Sequence, residues 1–244
     1  MIGRTPPDTA IYAIGDIHGR LDLLLALQQR IVDDAARRTA GRRLLIYLGD
    51  LVSRGPDSRG VVERVRNWLP AGFERVVLRG NHEELLLRSH AGEITAIRHW
   101  LDYGGIEALA SYGVDVRADM ERDDASMAGL CRRFAAAFPA EHLDFLEGFP
   151  TSHRAGSYFF VHGGVRPGIP LDRQSPRDLI WIRKTFLNSS ADHGAIVVHG
   201  HSISREPEAP GNRIGIDTGA YHSGVLTCLA LEYEERDFVQ PGML

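Results

Sequence analysis

Five times along the chain a short apolar run breaks off into a glycine-containing polar cluster. Ile11-Tyr12-Ala13-Ile14 leads into Gly15-Asp16-Ile17-His18-Gly19, and Leu44-Leu45-Ile46-Tyr47-Leu48 into Gly49-Asp50. Val76-Val77-Leu78 leads into Arg79-Gly80-Asn81-His82-Glu83, Tyr158-Phe159-Phe160-Val161 into His162-Gly163-Gly164, and Ala195-Ile196-Val197-Val198 into His199-Gly200-His201-Ser202. Runs of this length, rich in β-branched and aromatic residues, read as buried strands. Helical patterns separate the first three. Leu21, Leu24, Leu25 and Ile31 line one face of a helix beginning near Arg20, and Val61, Val62, Val65 and Trp68 line a second that starts at Ser58 and closes before Pro70. Alternation of strand and helix predicts a sheet with parallel strands.

From residue 83 to about residue 150 the pattern changes to helical segments at 83–91, 93–101, 127–137 and 140–147, broken by Gly104-Gly105, Gly113 and Pro139. Strands resume at Tyr158 without a linker, so this stretch is expected to be a helical insertion in a single domain spanning 1–244. Arg213–Ile216 and Val225–Glu232 read as further strands, the second alternating in a way that suggests antiparallel pairing. The residues from Asp237 onward are expected to fray.

Composition narrows the function classes. The longest apolar stretch, around Leu23–Leu27, is far short of the roughly 18 residues of a membrane span, and the first ten residues hold no apolar signal segment. Cys131 and Cys228 are the only cysteines, which excludes a disulfide framework or a thiolate-rich zinc site. The expectation is a soluble cytoplasmic protein without a membrane partner. With 28 basic residues against 32 acidic ones, the chain lacks the basic excess of a nucleic-acid binder. Attraction for an anionic ligand must therefore come from a few placed groups.

In open α/β sheets ligands bind beyond the carboxyl ends of the strands. The five runs deliver Asp16, His18, Asp50, Asn81, His162 and His201 there. Two carboxylates, an amide oxygen and three imidazoles, without thiolate, suit manganese, iron or zinc better than calcium or magnesium. Each piece alone has an ordinary explanation: Asn81 could simply cap a helix, and His162 could sit in a turn. Five strand ends bearing metal-type ligands in order make coincidence a poor account.

The motifs Gly15-Asp16-Ile17-His18-Gly19, Gly49-Asp50-Leu51-Val52-Ser53-Arg54-Gly55, Gly80-Asn81-His82-Glu83, His162-Gly163-Gly164 and Gly200-His201-Ser202 resemble those of the calcineurin-like metallophosphoesterases. Among these they resemble the PPP-type serine/threonine protein phosphatases, especially the compact bacterial and phage members, over residues 11 to 232. The resemblance implies an α/β sandwich of two mixed sheets flanked by helices, and two divalent metal ions, manganese first with iron and zinc also fitting. Asp16 and His18 would bind the first ion, Asp50 would bridge both, and Asn81, His162 and His201 would complete the second. A hydroxide shared between ions roughly 3.5–4 Å apart would attack phosphorus in line. Arg54 and Arg183 match the family's phosphate-gripping arginines, whose planar forks hold two phosphoryl oxygens at once. His82 matches the general acid that protonates the leaving alkoxide. The implied substrate is a phosphorylated protein or peptide, or a small phosphate ester.

Two departures matter. Ile203 stands where diesterase relatives carry a further histidine, which favours the phosphatase branch. Ser53 stands where most protein phosphatases carry an aspartate that hydrogen-bonds the acid histidine, so His82 loses a charged partner unless another carboxylate substitutes. Symmetrical dinucleoside tetraphosphate hydrolases share the metal motifs and also lack that aspartate, which makes them the alternative reading. A non-catalytic phosphopeptide-binding scaffold is the third, disfavoured because no ligand is missing. Asp217-Thr218-Gly219-Ala220 resembles the family's last strand exit, which would put Tyr221 or His222 beside the substrate groove; a hairpin turn accounts for the segment equally well. His90, His99, His142, His153 and His193 are expected at the surface, Trp100 and Trp181 in the core, and His199 no nearer the metals than behind the ligands.

Overall fold

The alternating first 80 residues build a parallel sheet. A computed structural model describes residues 3–117 and 121–241. In it β1 (Thr9–Ile14), β2 (Arg42–Tyr47) and β3 (Phe73–Val77) pair in parallel through α1 (Leu21–Ala35) and α2 (Ser58–Asn67). The apolar stripe of α1 is Leu24, Leu27, Ile31 and Ala35; Leu25, expected on that face, is 43% exposed, because the helix is turned to bury Gln28 beside Tyr47 instead.

The insertion is helical. It comprises α3 (Asn81–His90), α4 (Ile94–Asp102), α5 (Gly105–Ser111), α6 (Asp124–Ala137) and α7 (Ala140–Glu147). The short α5 was not expected from sequence; Gly104 does not merely break the chain but takes a left-handed φ of 92° and starts a new helix. His142 corrects its surface assignment: it is buried, with Nδ1 3.0 Å from the Tyr112 hydroxyl and Nε2 2.7 Å from Glu63 of α2. Of the other histidines expected outside, His99 is exposed while His90, His153 and His193 are half-buried.

Beyond the insertion follow β4 (Ser152–Ala155), β5 (Tyr158–Val161), α8 (Pro176–Trp181), α9 (Lys184–Leu187), β6 (Ile196–His199), β7 (Arg213–Gly215), α10 (Ala220–Ser223), β8 (Cys228–Glu232) and β9 (Glu235–Val239). The sheets run β3-β2-β1-β8-β9 and β4-β5-β6-β7. Each mixes parallel with antiparallel pairs, β8 lying antiparallel to β1 as its alternation suggested. Of the segment expected to fray from Asp237, residues 237–239 belong instead to β9, a charged edge strand paired with β8 and tied down by Arg38 to Asp237 at 2.9 Å, while 242–244 lie outside the described residues.

Strand alternation explains the layers. Ile11, Ala13, Ile46, Leu48, Leu229 and Leu231 face Tyr158, Phe160, Ile196, Val198 and Ile214 across the sandwich. The intervening Ala10, Tyr12, Ile14, Leu45 and Tyr47 face α1, α2 and the insertion, and on the second sheet Phe159, Val161 and Val197 pack on α8 and α9. Trp100 is fully buried as expected, whereas Trp181 is only half-buried.

Candidate metal centre

Hydrogen bonds carry the ladders past the strand ends, so the loops leave from one edge. Leu48 N–H donates to Ile14, Leu78 N–H to Tyr47 and Gly200 N–H to His162. These loops turn sharply. His18, Asp50, Ser53, Arg54 and His201 all have φ between 48° and 77°. Left-handed backbone at non-glycine residues costs of order 1–3 kcal/mol each and persists where the surroundings dictate it. Gly80 and Gly200 are needed for a different reason: a Cβ on either would collide with the carboxylates of Asp50 and Asp16 respectively.

Asp50 is the hub. Its Oδ2 lies 3.4 Å from His162 Nε2, 3.6 Å from His18 Nε2 and 3.9 Å from His82 Nε2. Two buried groups with metal-binding spacing share it, His18–Asp50–His82 and Asp50–His162–His201. His18 Nδ1 donates to the Val52 carbonyl at 2.8 Å and His162 Nδ1 to the Leu48 carbonyl at 2.9 Å. A carbonyl can only accept, so these bonds put a proton on Nδ1 and turn the Nε2 atoms toward the hub, the orientation that metal-binding imidazoles require. Asn81 Oδ1 is 3.0 Å from His162 Nε2.

Asp16 is placed differently from the rest. It lines the same cavity, but both its oxygens accept the His201 N–H, at 3.2 and 3.1 Å, and it belongs to neither group; His82 stands beside His18 and Asp50 instead. The cavity, about 240 Å³, is lined by Asp16, His18, Asp50, Arg54, His82, Arg183, His201, Ile203 and Asp217. All three sequence-derived catalytic candidates are therefore on its wall. Arg54 is half-buried and reaches the Tyr221 hydroxyl at 2.6 Å; Arg183, exposed between α8 and α9, lies 3.5 Å from His201 Nδ1.

Burial pushes the Asp50 carboxyl up, but His162 and His82 facing it prevail and hold it well below the usual range. Burial lowers His162, yet Asp50 and Asp16 outweigh it and push the imidazole up to about 10. Asp16 is held well above the carboxylate range by burial and by Asp217. Burial also lowers His82 to about 3 and His201 to about 2, the latter helped by His162 and Arg183. Neutral imidazole is the form that binds metal. His201 Nε2 and His82 Nδ1 are buried without a hydrogen-bond partner. Clustered carboxylates, neutral imidazoles and unpartnered ring nitrogens form a donor set that divalent cations satisfy.

Several contacts were not visible in the motifs. Glu83 is fully buried and its carboxylate accepts the N–H groups of Asp50, Leu51 and Gly80 at 2.8–2.9 Å, clasping two loops together; burial and the Asp50 charge push it up to about 7. The Ser53 hydroxyl faces not His82 but Trp100 of α4, accepting its Nε1–H at 2.8 Å. The Arg54 N–H donates to the Gly104 carbonyl at 2.9 Å. His199 stays out of both metal groups, bonded through Nδ1 to the Gly200 carbonyl at 3.0 Å.

Comparison with known proteins agrees with this architecture. "Serine/threonine-protein phosphatase 1" of Salmonella typhimurium (strain LT2) is 27% identical over 231 residues, 91% of this chain and 92% of its own. "Bis(5'-nucleosyl)-tetraphosphatase, symmetrical" of Methylococcus capsulatus (strain Bath) is 32% identical over 158 residues, 65% of this chain, which spans only 44% of that protein. Among solved structures, a cold-active protein-tyrosine phosphatase of a Shewanella species shares the fold at a TM-score of 0.56 and 18% identity, with 98% of this chain and 84% of that chain covered. A profile of the calcineurin-like phosphoesterases matches residues 9–224, the whole span from the first strand to the turn before β8. With that span matched and the Asp50-centred ligand groups at its strand ends, the chain belongs to the calcineurin-like phosphoesterase family.

Proposed function

We propose that this phosphoesterase is a phosphoprotein phosphatase that hydrolyses phosphomonoesters on proteins or peptides, with manganese as its resident metal. The observation that carries the reading is the single small cavity in which the Asp50 hub, Arg54 and Arg183 meet. Its volume of about 240 Å³ suits a phosphoryl group, with the remainder of a larger substrate outside. The near end-to-end match to the Salmonella phosphatase supports the protein-phosphatase assignment.

Two divalent cations held in this site would supply Lewis acidity, lowering the pKa of water and neutralising phosphoryl charge. Asp16, His18, Asp50, Asn81, His162 and His201 would hold them. Arg54, its backbone tied to Gly104 and its guanidinium stacked 4.6 Å over the Tyr221 ring, is pre-set to grip phosphoryl oxygens. Arg183 adds a second guanidinium from the His201 side. His82 stands where a proton could pass to the departing oxygen.

One observation favours a second reading, symmetrical cleavage of a dinucleoside tetraphosphate. With Ser53 committed to Trp100, His82 has no carboxylate on Nδ1 and is held near 3, a neutral ring suited to a leaving group that needs no protonation. Phosphate release from phosphopeptides, compared with cleavage of diadenosine tetraphosphate by the manganese-loaded protein, separates the two. The Asp50→Asn variant is the blank, expected to be slower by at least about 10³-fold because the hub serves both ligand groups. Full activity in that variant overturns both readings.

A further inference from the structure

The cavity is lined by three carboxylates, Asp16, Asp50 and Asp217. Asp217 follows β7 and is only 2% exposed. Its Oδ1 accepts the Gly219 N–H at 2.9 Å, which fixes the side chain, while Oδ2 accepts no hydrogen bond from any described residue. Its own carbonyl accepts the Ser204 N–H at 3.0 Å. Gly15, lacking a side chain, lets the end of β1 lie against the backbone of Ile216 and Asp217, so that Asp217 lines the same cavity as Asp16. Asp217 Oδ2 is the free end of a carboxylate on the wall of the cavity, open to a cation held there.

We propose that Asp217 is an acidic residue of the metal centre, adding negative charge that tightens the divalent-cation site on the Asp16–His18 side. This rests on the metal-centre reading above. Two divalent cations bring four positive charges, and Asp16 and Asp50 together supply two negative ones. A third carboxylate in the same low-dielectric cavity brings the balance closer to neutral. The counterpart is repulsion when no cation is present, since Asp217 and Asp16 are both buried carboxylates on the wall of one cavity. Asp217 thus strengthens the loaded protein and weakens the stripped one, a pattern that a merely structural aspartate does not produce.

The test is a calorimetric titration of metal-stripped protein with Mn²⁺, alongside thermal melting of the same samples. Asp217→Asn keeps an acceptor for the Gly219 N–H and removes the charge; Asp217→Ala removes both. The expected result is that both variants weaken one of the two Mn²⁺ binding events by about 10- to 100-fold and leave the other unchanged. Stripped Asp217→Asn should melt no lower than the stripped parent. Weakening in Asp217→Ala alone would assign the residue to its turn and overturn the proposal. So would unchanged binding in both variants, or a lower melting temperature in Asp217→Asn with both events weakened together. Failure of the parent protein to bind Mn²⁺ at all would instead bring down the metal-centre reading itself.

Discussion

Ser53 shows how one side chain resets a site without touching its ligands. It is fully buried at φ 77°, gives its hydroxyl to Trp100, and leaves His82 Nδ1 unpartnered. An aspartate tolerates left-handed backbone better than most residues, could keep the Trp100 bond through one oxygen, and would bring negative charge toward His82. Ser53→Asp should therefore raise His82 from its value near 3 and speed hydrolysis of phosphoserine peptides more than that of an activated aryl phosphate. The check is the ratio of the two kcat values in variant and parent; an unchanged ratio contradicts it. Much at this scale was legible in the chain. Asp50, His18, His162 and His201 fall into metal-spaced groups because each lies in the short loop after a strand, and strand ends can be read from periodicity. Glu83 and the Ser53–Trp100 bond were not legible, since each depends on which loops approach one another, and no local pattern encodes that.

At the scale of elements, long amphipathic segments were recovered with their ends displaced by a few residues, while β4, β9, α5 and the short helices α8, α9 and α10 were missed. Ser152–Ala155 and Glu235–Val239 carry too few apolar residues to show a period of two, and they pair because neighbours already in place offer edges. The insertion was recognised as helical, but its fastening was not. His142 of α7 bridges Tyr112 and Glu63, spanning insertion and framework, and looks like any surface histidine in sequence. Replacing it by alanine strands the Tyr112 hydroxyl and loses both bonds, so His142→Ala should lower stability by about 1–3 kcal/mol. Urea denaturation measures the loss, and Mn²⁺ affinity in the same variant should not change.

For the molecule as a whole, strand–helix alternation alone predicted a sheet with parallel strands, whereas the sandwich was implied by the family resemblance of the motifs. Its burial also sets a pH response. His199, 2% exposed and away from both ligand groups, is lowered to about 4 by burial, with Arg213 and His162 adding to that and its bond to Gly200 opposing. The unfolded chain takes up that proton near pH 6.5, before the folded protein does, so stability is lost as pH falls from about 6.5 toward 4. His199→Gln should flatten this dependence by about 3 kcal/mol across the window, read from denaturant melts of metal-stripped protein at each pH. A slope identical to the parent's would refute it.

The Trp100–Ser53 and Arg54–Gly104 bonds tie the insertion to the loop that carries the arginine proposed to grip phosphate, whereas most of the proposed cation donors sit in loops at the ends of the strands. Natural drift among those helices would, on the proposed reading, be heard first as a change in how tightly esters are held, while Glu83 at the root of α3 keeps the Asp50 loop in place.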